Sequence, residues 1–199
     1  KDVMLFSNSM NINLADVNNG KYTVSIIADD EYIGPNIAMG HEWDGWMRND
    51  IKTYYKEGTD ILDVGANIGY NTLMFSDYGP VSSFEPVFHQ IVAKNVKQNP
   101  IRHPVNVYTC ALSNEKKQME IFIPSHGCQS NTQINYGGTS FHLEGDMKGM
   151  GMQVPCERLD DIYEGIPSVI KIDVEHHEMQ VLEGAKETIQ KHMPTILIE

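Results

Sequence analysis

Basic residues are scarce in this chain. Its 199 residues carry 15 Lys and Arg against 27 Asp and Glu, a formal net charge of −12. A phosphate backbone would meet an average field of its own sign, so no nucleic-acid partner is expected, nor attachment to an anionic membrane through basic residues. Long apolar runs are also missing. None approaches the roughly 18 residues that span a bilayer, and the opening Lys1-Asp2-Val3-Met4-Leu5-Phe6 has no secretory apolar core. Without an initiator Met, the chain reads as an excised or trimmed piece. Cysteine is sparse: Cys110, Cys128 and Cys156 are odd in number and too widely spread for a zinc ribbon. Free thiols in a reducing, cytoplasmic compartment are the expectation.

What is present is an ordinary globular composition, 41% hydrophobic and 21% charged, in a length that suits one domain. Residues 1–28 read as short strands around an Asn18-Asn19-Gly20 turn, and 41–57 carry aromatic and aliphatic residues near helical spacing. Together, residues 1–57 are expected to form a cap of strands and a helix. From Asp60 onward, apolar runs at 61–64, 81–84, 105–110, 168–174 and 195–198 alternate with amphipathic segments at 70–76, 88–98 and 177–191. That alternation predicts an α/β domain over 58–199, with a mostly parallel sheet and helices on both faces. A further strand is expected at 118–123. The glycine-rich stretch 124–151 is expected to be a loop acting as a lid over the substrate, with His126 and His142 as its candidate contacts.

The most informative segment is Ile61-Leu62-Asp63-Val64-Gly65-Ala66-Asn67-Ile68-Gly69-Tyr70, a buried strand that enters a glycine turn and then a helix. Gly65 and Gly69 allow close backbone approach to a ligand, Asp63 is placed to accept from an ammonium group, and Asn67 to contact a carboxylate or orient the turn. Glu85 follows Gly65 by 20 residues at the end of the next strand, where an acid accepts hydrogen bonds from ribose hydroxyls. A dinucleotide would bring a pyrophosphate, which favours a neutral helix N-terminus and is repelled by Asp63. S-adenosylmethionine has no phosphate and carries both an amino group and a sulfonium, so Asp63 fits it better.

These residues resemble the FkbM-type methyltransferases. The likeness is carried by residues 61–69, by Phe84-Glu85-Pro86, by Ala111-Leu112-Ser113, and by Ile170-Lys171-Ile172-Asp173-Val174-Glu175 followed by His177-Glu178. Weaker likeness lies in Asn135-Tyr136-Gly137-Gly138-Thr139-Ser140, in 181–185 and in 194–199. The resemblance implies a Rossmann-like class I methyltransferase fold and S-adenosylmethionine as cofactor. It implies O-methylation of a sugar, glycan or related hydroxyl, carried out alone, in an oligomer or within a larger glycan-synthesis chain. It places Asp63, Gly65, Ala66, Asn67, Gly69, Glu85, Pro86, Cys110, Ala111 and Asp173 around the cofactor, with Ala111 near the adenine. His176 stands where the family usually has glycine. The pattern also stops after five parallel strands, so the last strands of that fold are expected to be lacking.

On the acceptor side, Lys171, Asp173 and Glu175 alternate and would share one face of an extended strand. Three charges on a core strand are costly without partners, which marks them as catalytic candidates together with His177, a candidate general base. Asp173 and Glu199 would end adjacent strands and offer oxygen ligands to Mg²⁺ or Mn²⁺. Cys110 reads as a small buried residue, not a nucleophile. The rival readings are a nicotinamide-dependent oxidoreductase and a non-catalytic cofactor-binding module. An RNA methyltransferase is disfavoured by the charge.

Overall fold

The computed structural model describes residues 3–5, 10–125, 133–142 and 149–199. The chain begins with two antiparallel pairs, β1 (Val3–Leu5) with β2 (Met10–Ile12) and β3 (Leu14–Asn18) with β4 (Thr23–Ile27). The helices α1 (Ile33–Ala38) and α2 (Met47–Tyr54) follow. Then come β5 (Asp60–Val64), α3 (Tyr70–Phe75), β6 (Val81–Phe84), α4 (His89–Gln98) and β7 (Val105–Tyr108). After β8 (Ala111–Leu112), β9 (Lys117–Pro124) and a short 3₁₀ turn at Tyr136–Gly138, the chain forms β10 (Gly149–Glu157) and α5 (Leu159–Ile162). It continues through β11 (Pro167–Ile172), α6 (Glu178–Gly184), α7 (Lys186–His192) and β12 (Thr195–Ile198).

Five strands form the central sheet in the order β12-β11-β5-β6-β7, all parallel. The period of two along each strand sorts side chains between two cores. Ile61, Val81 and Val169 face Met47 and Ile51 of α2 and Met74 and Phe75 at the end of α3. Leu62, Val64, Phe84, Ile170 and Ile172 face the opposite layer, with Leu159, Val181 and Ala185. A third core joins Val24, Ile27, Ile33 and Ile37 of the N-terminal elements to Ile68, Leu73, Phe88 and Ile91. The N-terminal elements and the parallel-sheet unit therefore share buried apolar surface.

Two expectations change in detail. The stretch 124–151 is not loop throughout. Strand β9 runs to Pro124 and pairs antiparallel with β10 from Gly149, while β10 pairs parallel with β8 to make a second sheet. Glycine and methionine obscure β10 in the sequence, because neither is a strong strand former; its partner strand supplies the order. Within the same stretch, Ile134 bridges Asp30 and Ser140 bridges Phe122, while 126–132 and 143–148 lie outside the described residues. The long C-terminal helix is also two helices, meeting at Ala185. Gly184 lies against the chain there: a Cβ on it would come within 1.9 Å of the Ser113 carbonyl oxygen. Among the described residues, no helix is long and apolar enough to cross a membrane.

Candidate active site

A cleft with about 1020 Å³ of atom-free space, partly open to solvent, lies at the carboxyl ends of the parallel strands, where open α/β sheets place their ligands. The turn after β5 forms its floor. Gly65 takes φ +78° and Asn67 φ +53°, left-handed conformations that glycine and asparagine tolerate best. Asn67 Oδ1 accepts from the Ile68 N–H at 2.8 Å, which fixes the turn. Of the residues expected around the cofactor, Gly65, Ala66, Asn67, Glu85, Pro86, Ala111 and Asp173 line the cleft.

Glu85 is 5% exposed. Its Oε1 accepts from the N–H groups of Val87 (2.7 Å) and Phe88 (3.0 Å), and its Oε2 from that of Asn67 (2.8 Å). A carboxylate has roughly four acceptor sites, so these donors leave room for another. Burial pushes its carboxyl up to about 7, against these three donors and Lys171, which favour the ionised form.

Asp63 departs from the expectation of direct ligand contact. It is fully buried and does not line the cleft. The register places Lys171 of β11, Asp63 of β5 and Ser83 of β6 side by side across three strands. Thr72 of α3 closes this row by donating to Asp63 Oδ2 at 2.5 Å, with its hydroxyl 2.9 Å from that of Ser83. Lys171 Nζ lies 3.4 Å from Asp63 Oδ1 and 3.4 Å from Asp173 Oδ2, and donates to the Gly65 carbonyl at 2.9 Å. Burial works against its ammonium, but Asp63 and Asp173 outweigh that and raise its pKa. Lys171 therefore ties the floor of the cleft to the carboxylate above it.

Past β11 the chain does not stay extended. Glu175 (φ +48°) and His176 (φ +70°) are both left-handed, so the shared-face argument holds for Lys171 and Asp173 alone. Glu175 lines the cleft nonetheless, and Ser140 Oγ donates to its carbonyl at 2.8 Å. Burial and the neighbouring Asp173 raise the Glu175 carboxyl; burial and Asp173 also raise that of Glu199, another lining residue. Neither makes an ion pair among the described residues.

The same turn carries His177 away from the cleft, which corrects its assignment as a general base. It is 2% exposed, its Nε2 is 3.0 Å from Ser113 Oγ, and its ring lies 4.5 Å from that of Phe141, which does line the cleft. His177 thus supports the cleft wall from behind. Gly69 and Cys110 also lie outside the lining. Gly69 takes φ +83° at the start of α3 and packs against Val92. Burial pushes the Cys110 thiol up to about 12, so it is no nucleophile. His142 is exposed and does not line the cleft, and His126 lies outside the described residues. Among the described residues, no group of three or more His, Cys, Asp or Glu side chains is arranged to hold a metal ion, so Asp173 and Glu199, both lining the cleft, lack the further ligands expected of a Mg²⁺ or Mn²⁺ site.

Several lining residues are not among the cofactor and catalytic residues expected from the sequence. Ile33, Trp43, Tyr70 and Asn71 join the cleft through tertiary packing. Asn71 donates to Asp44 Oδ2 at 3.0 Å.

A family model described as the methyltransferase FkbM domain matches residues 63–199. No match was found among curated proteins. The crystal structure of methyltransferase FkbM from Methylobacillus flagellatus KT is similar, with a TM-score of 0.47 and 18% identity over 74% of this chain. The chain spans only 36% of that protein's length. The family match takes in the glycine turn, Glu85 and the Lys171–Glu175 segment and extends over more than half of the sequence: the chain belongs to the FkbM methyltransferase family.

Proposed function

We propose that this chain binds S-adenosylmethionine in the cleft and transfers its methyl group to a hydroxyl of a sugar, glycan or related small molecule. One observation supports this above the others. Among the described residues, the charged side chains lining the cleft are four carboxylates (Glu85, Asp173, Glu175 and Glu199) and one ammonium, and that ammonium is already engaged by Asp63, Asp173 and Gly65. Such a lining suits a cationic, hydroxyl-bearing ligand and opposes a pyrophosphate, which weighs against the nicotinamide alternative.

When bound, S-adenosylmethionine supplies a methyl group activated by its sulfonium. Phe84, Ala111, Leu112 and Ile121 give an apolar wall that suits the adenine. Glu85 accepts from ribose hydroxyls through its remaining acceptor site. Lys171 holds Asp173 against the Gly65 turn, so the donor and acceptor ends of the cleft keep a fixed separation, as in-line displacement requires. Glu175 takes the proton of the attacking hydroxyl: its raised pKa makes it a better base than an ordinary carboxylate. Glu175→Gln is expected to lower kcat about 10²-fold or more with donor affinity unchanged, read as the methyl mass gain on the acceptor. An unchanged kcat would move the base to another group.

Glu85 makes donor binding dependent on pH. Its carboxyl rises from an ordinary 4.5 to about 7 in the folded chain, so folding favours its neutral form. That contribution to stability is complete below the lower value and is lost as pH rises through the upper one. Ribose hydroxyls donate to the ionised form, so donor affinity should increase between about pH 6 and 8, with a proton released on binding. Calorimetry with S-adenosylhomocysteine in buffers of different ionisation enthalpy measures both effects. An affinity independent of pH would remove Glu85 from the ligand contacts.

A further inference from the structure

The cleft has a wall that the family match does not include. Trp43 lies before residue 63, yet it lines the cleft, half-buried against the N-terminal core. Its neighbours on both sides are tied to the parallel-sheet unit. Glu42 receives the Arg48 Nε at 2.8–2.9 Å through both carboxylate oxygens, and Arg48 reaches Asp77, just beyond α3, at 3.1 Å. Asp44, with a left-handed backbone (φ +49°), accepts from Asn71 within α3 at 3.0 Å. A tryptophan fixed between two such ties is positioned by the fold.

Its place along the cleft follows from the sheet order. Glu85 and Ala111 follow β6 and β7, on one side of β5, whereas Asp173 and Glu199 follow β11 and β12, on the other. Asp44 is bonded to Asn71, a lining residue at the start of the helix after β5, and its charge also acts on Lys171 and Glu199, so the Trp43 segment borders the β11–β12 side of the cleft.

We propose that Trp43 is the acceptor-binding platform of the cleft, its indole covering the apolar C–H face of a pyranose ring whose hydroxyls reach Asp173, Glu175 and Glu199. The inference rests on the methyltransferase reading above and adds a specificity residue from outside the matched family segment. A pyranose presents an apolar face and a rim of hydroxyls. An aromatic plane beside the carboxylates of Glu175 and Glu199, which make no ion pair among the described residues, and of Asp173 answers both features. Glu42, Arg48 and Asp44 act through Trp43 as positioning residues.

The chain has two tryptophans, and Trp46, 58% exposed, is outside the cleft lining. The variant W46F therefore leaves Trp43 as the sole tryptophan emitter. In the presence of S-adenosylhomocysteine, methyl glucoside, methyl mannoside or methyl rhamnoside is expected to quench or shift that emission. With the responding glycoside as acceptor, Trp43→Ala should raise KM about tenfold or more, and Trp43→Phe, which keeps an aromatic face, should recover most of it. Calorimetric affinity for S-adenosylhomocysteine should stay within about twofold in both variants. Silent Trp43 emission across all three glycosides, in protein that binds S-adenosylhomocysteine, overturns the inference alone. So does an equal loss of donor affinity in Trp43→Ala. Failure of the wild-type chain to bind S-adenosylhomocysteine brings down the methyltransferase reading and this inference with it.

Discussion

Replacing Lys171 by methionine is expected to destabilise the protein by about 3–5 kcal/mol, the range for breaking one side of a buried ion pair. The side chains of Lys171 and Asp63 are 3% and 0% exposed. Asp63 Oδ2 keeps its bond from Thr72, but Oδ1 has no hydrogen-bond partner and depends on the lysine's charge. Methionine fills similar space, so the loss comes from the carboxylate left buried without its counter-charge. Removing both charges should then cost less than removing one. The double variant Asp63→Asn, Lys171→Met is expected to regain about 2 kcal/mol of the single variant's loss, measured by urea denaturation as a double-mutant cycle. The raised pKa of Lys171 fixes the sign with pH. Its stabilisation is fully present below its ordinary value of 10.5 and is lost only as pH climbs through the higher folded value. The lysine's own titration thus adds no pH dependence to the deficit of Lys171→Met across neutral pH; the lost attraction to Glu85 adds a small increase as that carboxyl ionises through about 7. Strictly additive losses in the cycle would show that the two groups do not support each other.

Gly65→Ala should be the most damaging small substitution in the cleft. A Cβ at this position would sit 1.9 Å from the Asp173 carbonyl oxygen, on a backbone with φ +78°. Something must move, and the nearest atoms are the backbone of the residue that faces the acceptor. A displacement near 1 Å at a reacting centre costs about 10²-fold in rate, so kcat/KM should fall by at least about that factor. Gly58 supplies the control. It has nearly the same left-handed angle, φ +81°, with nothing within 4 Å of its Cβ position. Gly58→Ala should bear only the conformational cost, about 1 kcal/mol, and leave activity intact. Paired urea denaturation and methyl-transfer rates separate strain from collision. Equal behaviour of the two alanine variants would remove the Gly65–Asp173 contact from the argument.

The contrast between Asp63 and Glu85 shows how far a sequence reading reaches. Both are acids at the ends of adjacent strands, and both were expected to hold the cofactor. Glu85 lines the cleft because it follows the last residue of β6, where the chain turns along the ligand site. Asp63 is still inside β5, on the face it shares with Ile61. Strand parity gives that face, but only the neighbouring strands reveal that it meets Lys171 and Ser83. His177 was misplaced for a related reason. Its nearness in sequence to Asp173 and Glu175 suggested the cleft, and two successive left-handed residues, neither of them glycine, send it behind Phe141 instead.

Local signals in the sequence determined the alternation of buried strands and helices, the glycine turn after β5 and the acid after β6, because each depends on residues only a few positions apart. Register, burial and assembly were decided by the tertiary structure. The Lys171–Asp63 pair joins residues 108 positions apart, and Trp43 enters the cleft through ties to Asp77 and Asn71. A charge's partner and a wall's position are properties of packing between distant segments, and short-range pattern carries no record of them.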